Sequence, residues 1–152
     1  MTSKAFDNAT DANRQQGGRR NLIINGAMQV AQRGTSAVTS DVSYPVDRFF
    51  VLNNTSTGTF SAQQVSESPD GFKNSLKVTV TAADTDLANA ERLLVNYYVE
   101  GNDFVAPAFG TSSAQNITLS FQVRSSLTGT FSGSVQNSAQ NRSFPFEYTI
   151  RS

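Results

Sequence analysis

The sequence contains no cysteine, no histidine and no tryptophan among its 152 residues. Without cysteine the chain forms no disulfide and offers no thiolate to a metal or a substrate. Without histidine it lacks the commonest general base, and a Ser-His-Asp or Cys-His catalytic arrangement within one chain is excluded. Without tryptophan it lacks the largest flat side chain on which a sugar ring could stack.

Charge is also scarce. Charged residues make up 16% of the chain, and the 12 basic residues balance the 12 acidic ones. A net charge of zero gives no electrostatic reason to expect nucleic acid or an acidic surface as a partner. No apolar run of about 18 residues is present, so we expect no membrane insertion. We also expect no cofactor. A structural calcium ion, which would bind carboxylate, amide and carbonyl oxygens, stays open, but no calcium-binding loop pattern is present and no metal-ligating residues can be named.

The polar residues that are present are mostly uncharged, with 19 Ser, 15 Thr, 13 Asn and 10 Gln. Apolar residues alternate with them in segments 75–81, 117–124 and 144–150, which is typical of strands with one wet face in an antiparallel sheet. Segment 93–100 alternates less cleanly and predicts a strand covered on both sides. Weaker strands are predicted at 47–52, 57–66 and 130–137, with turn-forming residues between them. The pattern predicts an all-β protein, a two-layer antiparallel jelly-roll sandwich.

Residues 1–20 differ from the rest, because they are polar and end in the sequence GGRR. They lack the apolar segment of a secretory signal. Their composition suits a disordered tail or a short arm that becomes ordered on a partner. We therefore divide the chain into an N-terminal arm, 1–20, and a sandwich domain, 21–152. In the arm, the residues expected to bind a partner are Phe6, Arg14, Arg19 and Arg20.

Acidic pairs are the only candidates for catalysis. Asp84 with Asp86, and Glu100 with Asp103, have the composition of a glycosidase acid and base. Both pairs lie in turn-like sequence, where an aspartate normally accepts hydrogen bonds from nearby backbone. We therefore expect no catalytic residues and no enzyme.

Other residues suggest structural or binding roles. We expect Asp47-Arg48 to form an ion pair or a turn anchor beside an aromatic strand. Tyr44, Tyr97 and Tyr98 have two interpretations, either contact with a sugar ring or packing in the core or an interface.

Two motifs in the first third of the chain stand out. The first motif is NLIINGAMQVAQRGTS, residues 21–36, in which an apolar triplet is followed directly by an Asn-Gly dipeptide. The second motif is YPVDRFF, residues 44–50. We expect Leu22-Ile23-Ile24 to start a strand and Asn25-Gly26 to make a turn that tolerates positive φ. Met28 and Val30 would then return to the core.

These motifs, in this order, resemble the start of jelly-roll domains in tail-fibre and other virion structural proteins of tailed phages. The segments GFKNSLKVTVTA, YYVEG and GTSSAQNITLSFQVRSSLTGTFSGSV are similar to later strands of that family, so the resemblance spans about 21–150. It departs at Phe49-Phe50, where the family usually carries tryptophan, and this departure argues against a sugar-stacking platform.

The resemblance implies a phage virion structural protein, a subunit of a tail fibre or another particle appendage, with a contribution to host attachment. Its implied location is the virion. Its partners would be other virion proteins bound through the arm, further copies of itself as a trimer, and a host surface glycan. The alternative is a carbohydrate-binding module without catalytic activity. The polar arm and the missing tryptophan favour the first hypothesis.

The last predicted strand bears on assembly. Family members usually continue with further strands, so we expect an open strand edge or apolar face here, which invites another chain. A rival explanation is that the 152 residues are a fragment of a longer protein. The residues expected near the oligomer contact are Phe144, Phe146, Tyr148 and Ile150.

Overall fold

The computed structural model describes residues 21–39, 41–55, 57–105 and 107–151. Across these ranges the chain is all-β and every strand pairing is antiparallel. They include no helix with the length and apolar character needed to cross a membrane. The strands are β1 Val42–Val46, β2 Phe49–Asn54, β3 Thr59–Val65, β4 Ser75–Ala82, β5 Arg92–Tyr97, β6 Gly129–Gln136 and β7 Ser143–Ile150. The described residues fall into two compact units, the first ending at Ile117 and the second beginning at Thr118.

The first unit contains two sheets that pack against each other. One sheet has the strand order β1-β2-β5, and the other is the β3–β4 hairpin. Val51 of β2 packs against Phe60 and Ala62 of β3, and all three side chains are at most 2% exposed. Because side chains alternate along a strand, Phe60 and Ala62 lie on the same face of β3. The partly buried residues around this core are Val38, Leu76 and Val78.

The second unit is the β6–β7 hairpin together with the segment that precedes it. The register pairs Phe131 with Tyr148 and Val135 with Phe144, so these side chains share one face. The rings of Phe131 and Tyr148 are stacked, with centroids 5.8 Å apart. Phe121 packs edge-on against Tyr148, with centroids 5.1 Å apart. We call this surface the hairpin face, and define it as Phe131, Val135, Phe144, Phe146, Tyr148 and Ile150.

Most of the predicted strands are confirmed. Those expected at 47–52, 57–66, 75–81, 93–100, 130–137 and 144–150 correspond to β2, β3, β4, β5, β6 and β7. The strand predicted at 117–124 is wrong, because these residues pair with no strand in the part of the chain that the structure describes. Its apolar side chains were expected inside, but they are 39–50% exposed. Alternation reports an amphipathic segment, whereas a strand also needs a neighbour to share its hydrogen bonds.

The prediction that β5 is covered on both sides is also wrong. β5 lies at the edge of its sheet, next to β2 alone, and β3 packs against β1 and β2. Leu93 and Val95 of β5 are therefore 38% and 50% exposed. The low content of polar residues in this segment correctly predicted an apolar strand. It did not predict that the strand would lie at the edge of its sheet.

Candidate functional site

Asn25 holds the opening motif in a turn and connects it to the turn between β1 and β2. Its φ of 59° lies in the left-handed region, which asparagine adopts more readily than most residues. Its Oδ1 accepts hydrogen bonds from the backbone N–H groups of Gln29 and Val30, at 2.9 and 3.0 Å. Its Nδ2 donates to the carbonyl oxygens of Val30 and Asp47, each at 2.9 Å. The turn predicted at Asn25-Gly26 is confirmed.

The remainder of the opening motif differs from expectation. Leu22, Ile23 and Ile24 start no strand. Val30 is 43% exposed and does not return to the core, whereas Met28 is half-buried. The strand prediction failed because the backbone of this segment bonds within its own turn, to the β1–β2 turn and to the side chains of Tyr97 and Gln64, and not to the backbone of a neighbouring strand.

Asp47 and Arg48 form the turn that joins β1 to β2. The Asp47 carboxylate accepts a hydrogen bond of 3.0 Å from the backbone N–H of Gln32. Arg48 has a φ of 75°, and its guanidinium forms a salt bridge with Glu100. The hydrogen bond to Glu100, followed by one to Tyr97, raises the pKa of Arg48 above its usual value. The expected turn anchor is confirmed, whereas the ion pair joins Arg48 to Glu100 and not to Asp47.

Three aromatic side chains form a row across the three-stranded sheet. Phe50 of β2 lies between Tyr44 of β1 and Tyr98, which follows β5, with ring centroids 5.6 and 6.1 Å apart. Tyr44 is 39% exposed and Tyr98 is 60% exposed, whereas Phe50 is half-buried. The guanidinium carbon of Arg33 lies 5.0 Å from the centroid of the Tyr44 ring, a cation–π distance.

Tyr97 has a packing role instead. Its ring lies 5.2 Å from that of Phe49, centroid to centroid, and its hydroxyl accepts a hydrogen bond of 2.8 Å from the backbone N–H of Ile24. Of the three tyrosines that could meet a sugar, Tyr97 is therefore engaged within the fold. Tyr44 and Tyr98 remain open to a ligand.

A groove with a volume of about 570 Å³ lies beside this row of rings. Its lining residues are Gln32, Arg33, Tyr44, Asp47, Arg48, Tyr98 and Glu100. Two guanidinium groups balance two carboxylates, and the two exposed tyrosines add aromatic surface. Five of the seven lining residues are polar or charged, so the groove is more polar than a typical small-molecule pocket, and its two tyrosine rings supply its aromatic surface. We call this set of seven residues the aromatic groove.

The acidic pairs do not gather into a comparable site. Asp84 accepts hydrogen bonds from the backbone N–H groups of Asp86, Thr57 and Gly58, at 3.1, 3.3 and 3.4 Å. These bonds lower the pKa of Asp84 below its usual value, and the bond from Asp86 makes the largest contribution to this shift. Asp84 therefore closes a loop, as expected for an aspartate in turn-like sequence. Within the described ranges no group of three acidic side chains could hold a metal ion.

The residues predicted to bind partners are placed only in part. The four arm residues, Phe6, Arg14, Arg19 and Arg20, lie outside the described residues. The four residues predicted for the oligomer contact lie together on the hairpin face, where Phe144 is 72% exposed. Phe146, Tyr148 and Ile150 are half-buried there.

Sequence reasoning missed Gln32 and Arg33 as lining residues of the groove. The signal available was their position in the QRGTS segment of the opening motif, close behind Asn25. Their meeting with Tyr44 and Asp47 depends on the hydrogen bonds between the two motifs, which no local pattern displays. No protein-family model matches the chain, and comparisons with curated proteins and with solved structures give no significant match.

Proposed function

We propose that the protein is a structural subunit of a phage particle, in a tail fibre or another appendage, without enzymatic activity. The resemblance of residues 21–36 and 44–50 to virion jelly-roll domains supports this. The hydrogen bonds of Asn25 and Asp47 give further support, because they join the two motifs into one structural element. The motifs then have a structural reason to occur together.

A two-layer jelly-roll sandwich is part of this proposal. The packing of Val51 against Phe60 and Ala62 supports the two layers, since these residues belong to different sheets. The jelly-roll connectivity is implied by the resemblance.

The observation that carries the proposal is the exposed part of the hairpin face, at Phe144 and Val135. An isolated two-stranded hairpin is marginally stable in water, and β6 pairs only with β7 among the strands of the described residues. Phe144 is 72% exposed and Val135 is 39% exposed. Exposed apolar surface and free strand edges both favour binding of another chain. We therefore propose a homo-oligomer, a trimer by the family resemblance, with Phe144, Phe146, Tyr148 and Ile150 at the contact.

The arm would attach this oligomer to other virion proteins. In the proposed particle Phe6 occupies an apolar pocket of a neighbouring protein, and Arg14, Arg19 and Arg20 contact its surface. The low apolar content of residues 1–20 suits a segment that becomes ordered only on a partner.

The test uses purified particles of a phage whose genome encodes the protein. We expect mass spectrometry and immunogold labelling to detect the protein in intact particles. Deletion of residues 2–18 should leave the soluble protein folded but prevent its incorporation, and Phe6→Ala should reduce incorporation more than the control Asn8→Ala. Absence of the protein from particles would refute the virion assignment, and normal incorporation of the deletion variant would refute the tether.

A second candidate function, a carbohydrate-binding module without catalytic activity, is favoured by the aromatic groove. Tyr44 and Tyr98 supply the exposed aromatic surface that the missing tryptophan would otherwise provide. The two functions are compatible, because an appendage subunit with a glycan site would contribute to host attachment.

A further inference from the structure

We propose that the aromatic groove binds a neutral carbohydrate, a hexose oligosaccharide without acidic groups. This inference rests on the second candidate function, to which it adds a ligand class and named contacts. It does not depend on the virion assignment, because every residue of the groove belongs to the first unit.

The ring of Tyr98 is the surface on which a sugar ring would stack. It is the more exposed of the two tyrosines, at 60% against 39% for Tyr44. Arg33 lies over the Tyr44 ring, so part of that ring is already covered. Contact with Phe50 holds Tyr98 in place, and a ring fixed by packing loses little entropy when a ligand binds. The apolar C–H face of a hexose would therefore pack on Tyr98.

The polar residues around Tyr98 suit hydroxyl groups, which both donate and accept hydrogen bonds. Arg33 makes no salt bridge within the described ranges, so its N–H groups are available as donors. Asp47 uses one oxygen for the backbone of Gln32, and Glu100 uses one for Arg48, which leaves each carboxylate with further acceptor capacity. Hydrogen-bond donors, from Arg33, and acceptors, from Asp47 and Glu100, therefore line the same groove.

The charge balance of the groove selects a neutral ligand. Arg33 and Arg48 offset Asp47 and Glu100, so an anionic sugar gains no net electrostatic attraction. An acidic group next to Arg33 would also approach the carboxylate of Asp47. Phosphate and nucleic acid are disfavoured for the same reason.

The lining is also held rigidly. Asn25 and Gln32 bond to Asp47, and Arg48 bonds to Glu100, so the polar rim is fixed before a ligand arrives. A site fixed in advance loses less conformational entropy on binding than a flexible one.

The test is a glycan array probed with the full-length protein. The array holds glucose, galactose and mannose oligosaccharides beside sialylated and sulfated counterparts, and affinities for any glycan bound are then measured by calorimetry. We expect binding to at least one neutral oligosaccharide. We expect Tyr98→Ala and Arg33→Ala each to weaken it at least tenfold, and Tyr98→Phe to retain it. The control is Phe72→Ala, which removes an exposed aromatic ring that does not line the groove.

Each other outcome contradicts the inference. Binding to no neutral glycan, or affinity unchanged in Tyr98→Ala, would refute the site, and a preference for acidic glycans would refute the ligand class. A changed oligomeric state in Tyr98→Ala would indicate that the groove is a contact between copies. Incorporation of Tyr98→Ala into particles tests the virion assignment separately, since loss of glycan binding alone leaves incorporation intact.

Discussion

Replacement of Asn25 tests whether the two sequence motifs form one structural element. Asn25→Ala removes four hydrogen bonds, of which the bond to the Asp47 carbonyl is partly buried and the other three are exposed. At about 0.5 kcal/mol for each exposed bond and about 1 kcal/mol for the partly buried one, the bonds contribute about 2.5 kcal/mol. Alanine at a φ of 59° costs about 1 kcal/mol more than asparagine. We therefore expect Asn25→Ala to lower the free energy of unfolding by about 3.5 kcal/mol.

Urea unfolding followed by circular dichroism at one protein concentration measures this change. Asn25→Gly separates the two contributions, because glycine loses the hydrogen bonds but adopts positive φ without strain. It should be less destabilised than Asn25→Ala by about 1 kcal/mol. The matched control is Asn21→Ala, which removes one exposed hydrogen bond to the backbone of Ile23 and should cost about 0.5 kcal/mol. Equal stability of Asn25→Ala and Asn21→Ala would refute the role of Asn25.

Two further predictions concern the core and acid stability. Phe60 is 2% exposed, so Phe60→Ala should lower the free energy of unfolding by about 3–5 kcal/mol. Phe72→Ala should change it little, because this ring is exposed. Similar values for both variants would contradict the assignment of Phe60 to the core. The folded state lowers the pKa of Asp84, so its contribution to stability is present above the ordinary value of 3.8 and is lost as the pH falls below it. Asp84→Asn should therefore be less stable than wild type at pH 7 and approach it in acid, and a constant difference across that range would refute the assignment.

Strand existence could be predicted from the sequence where alternation was strong, as in β4 and β7. The short strand β1 was not predicted, because its burial pattern is the opposite of the usual one. The polar residue Ser43 is buried, whereas the apolar residue Val42 is 57% exposed. Pro45 lies within this strand, and a proline normally argues against a strand assignment. Pairing partners could not be predicted either. Segment 117–124 alternates as clearly as β4, yet alternation carries no information on which strand supplies the hydrogen bonds.

The candidate site was predictable in its parts and not in its assembly. The residue types of Asp47, Arg48 and the tyrosines were enough to predict a structural or binding role for each. That Arg33 lies over Tyr44, and that Glu100 reaches Arg48 from 52 positions along the chain, depends on the register of β1, β2 and β5. Register is a tertiary property, so local sequence patterns cannot specify which of these residues meet.

Sedimentation equilibrium of the full chain tests the central claim that the hairpin face is an oligomer contact. We predict a discrete oligomer, most simply three chains of 16.4 kDa, that dissociates in the variant Phe144→Asp because an unpaired carboxylate would be buried at the contact. Thr149→Asp is the matched control, since its side chain lies on the opposite face of β7 and should leave the oligomer intact. A folded wild-type monomer of 16.4 kDa at every concentration, or identical behaviour of the two variants, would contradict the claim.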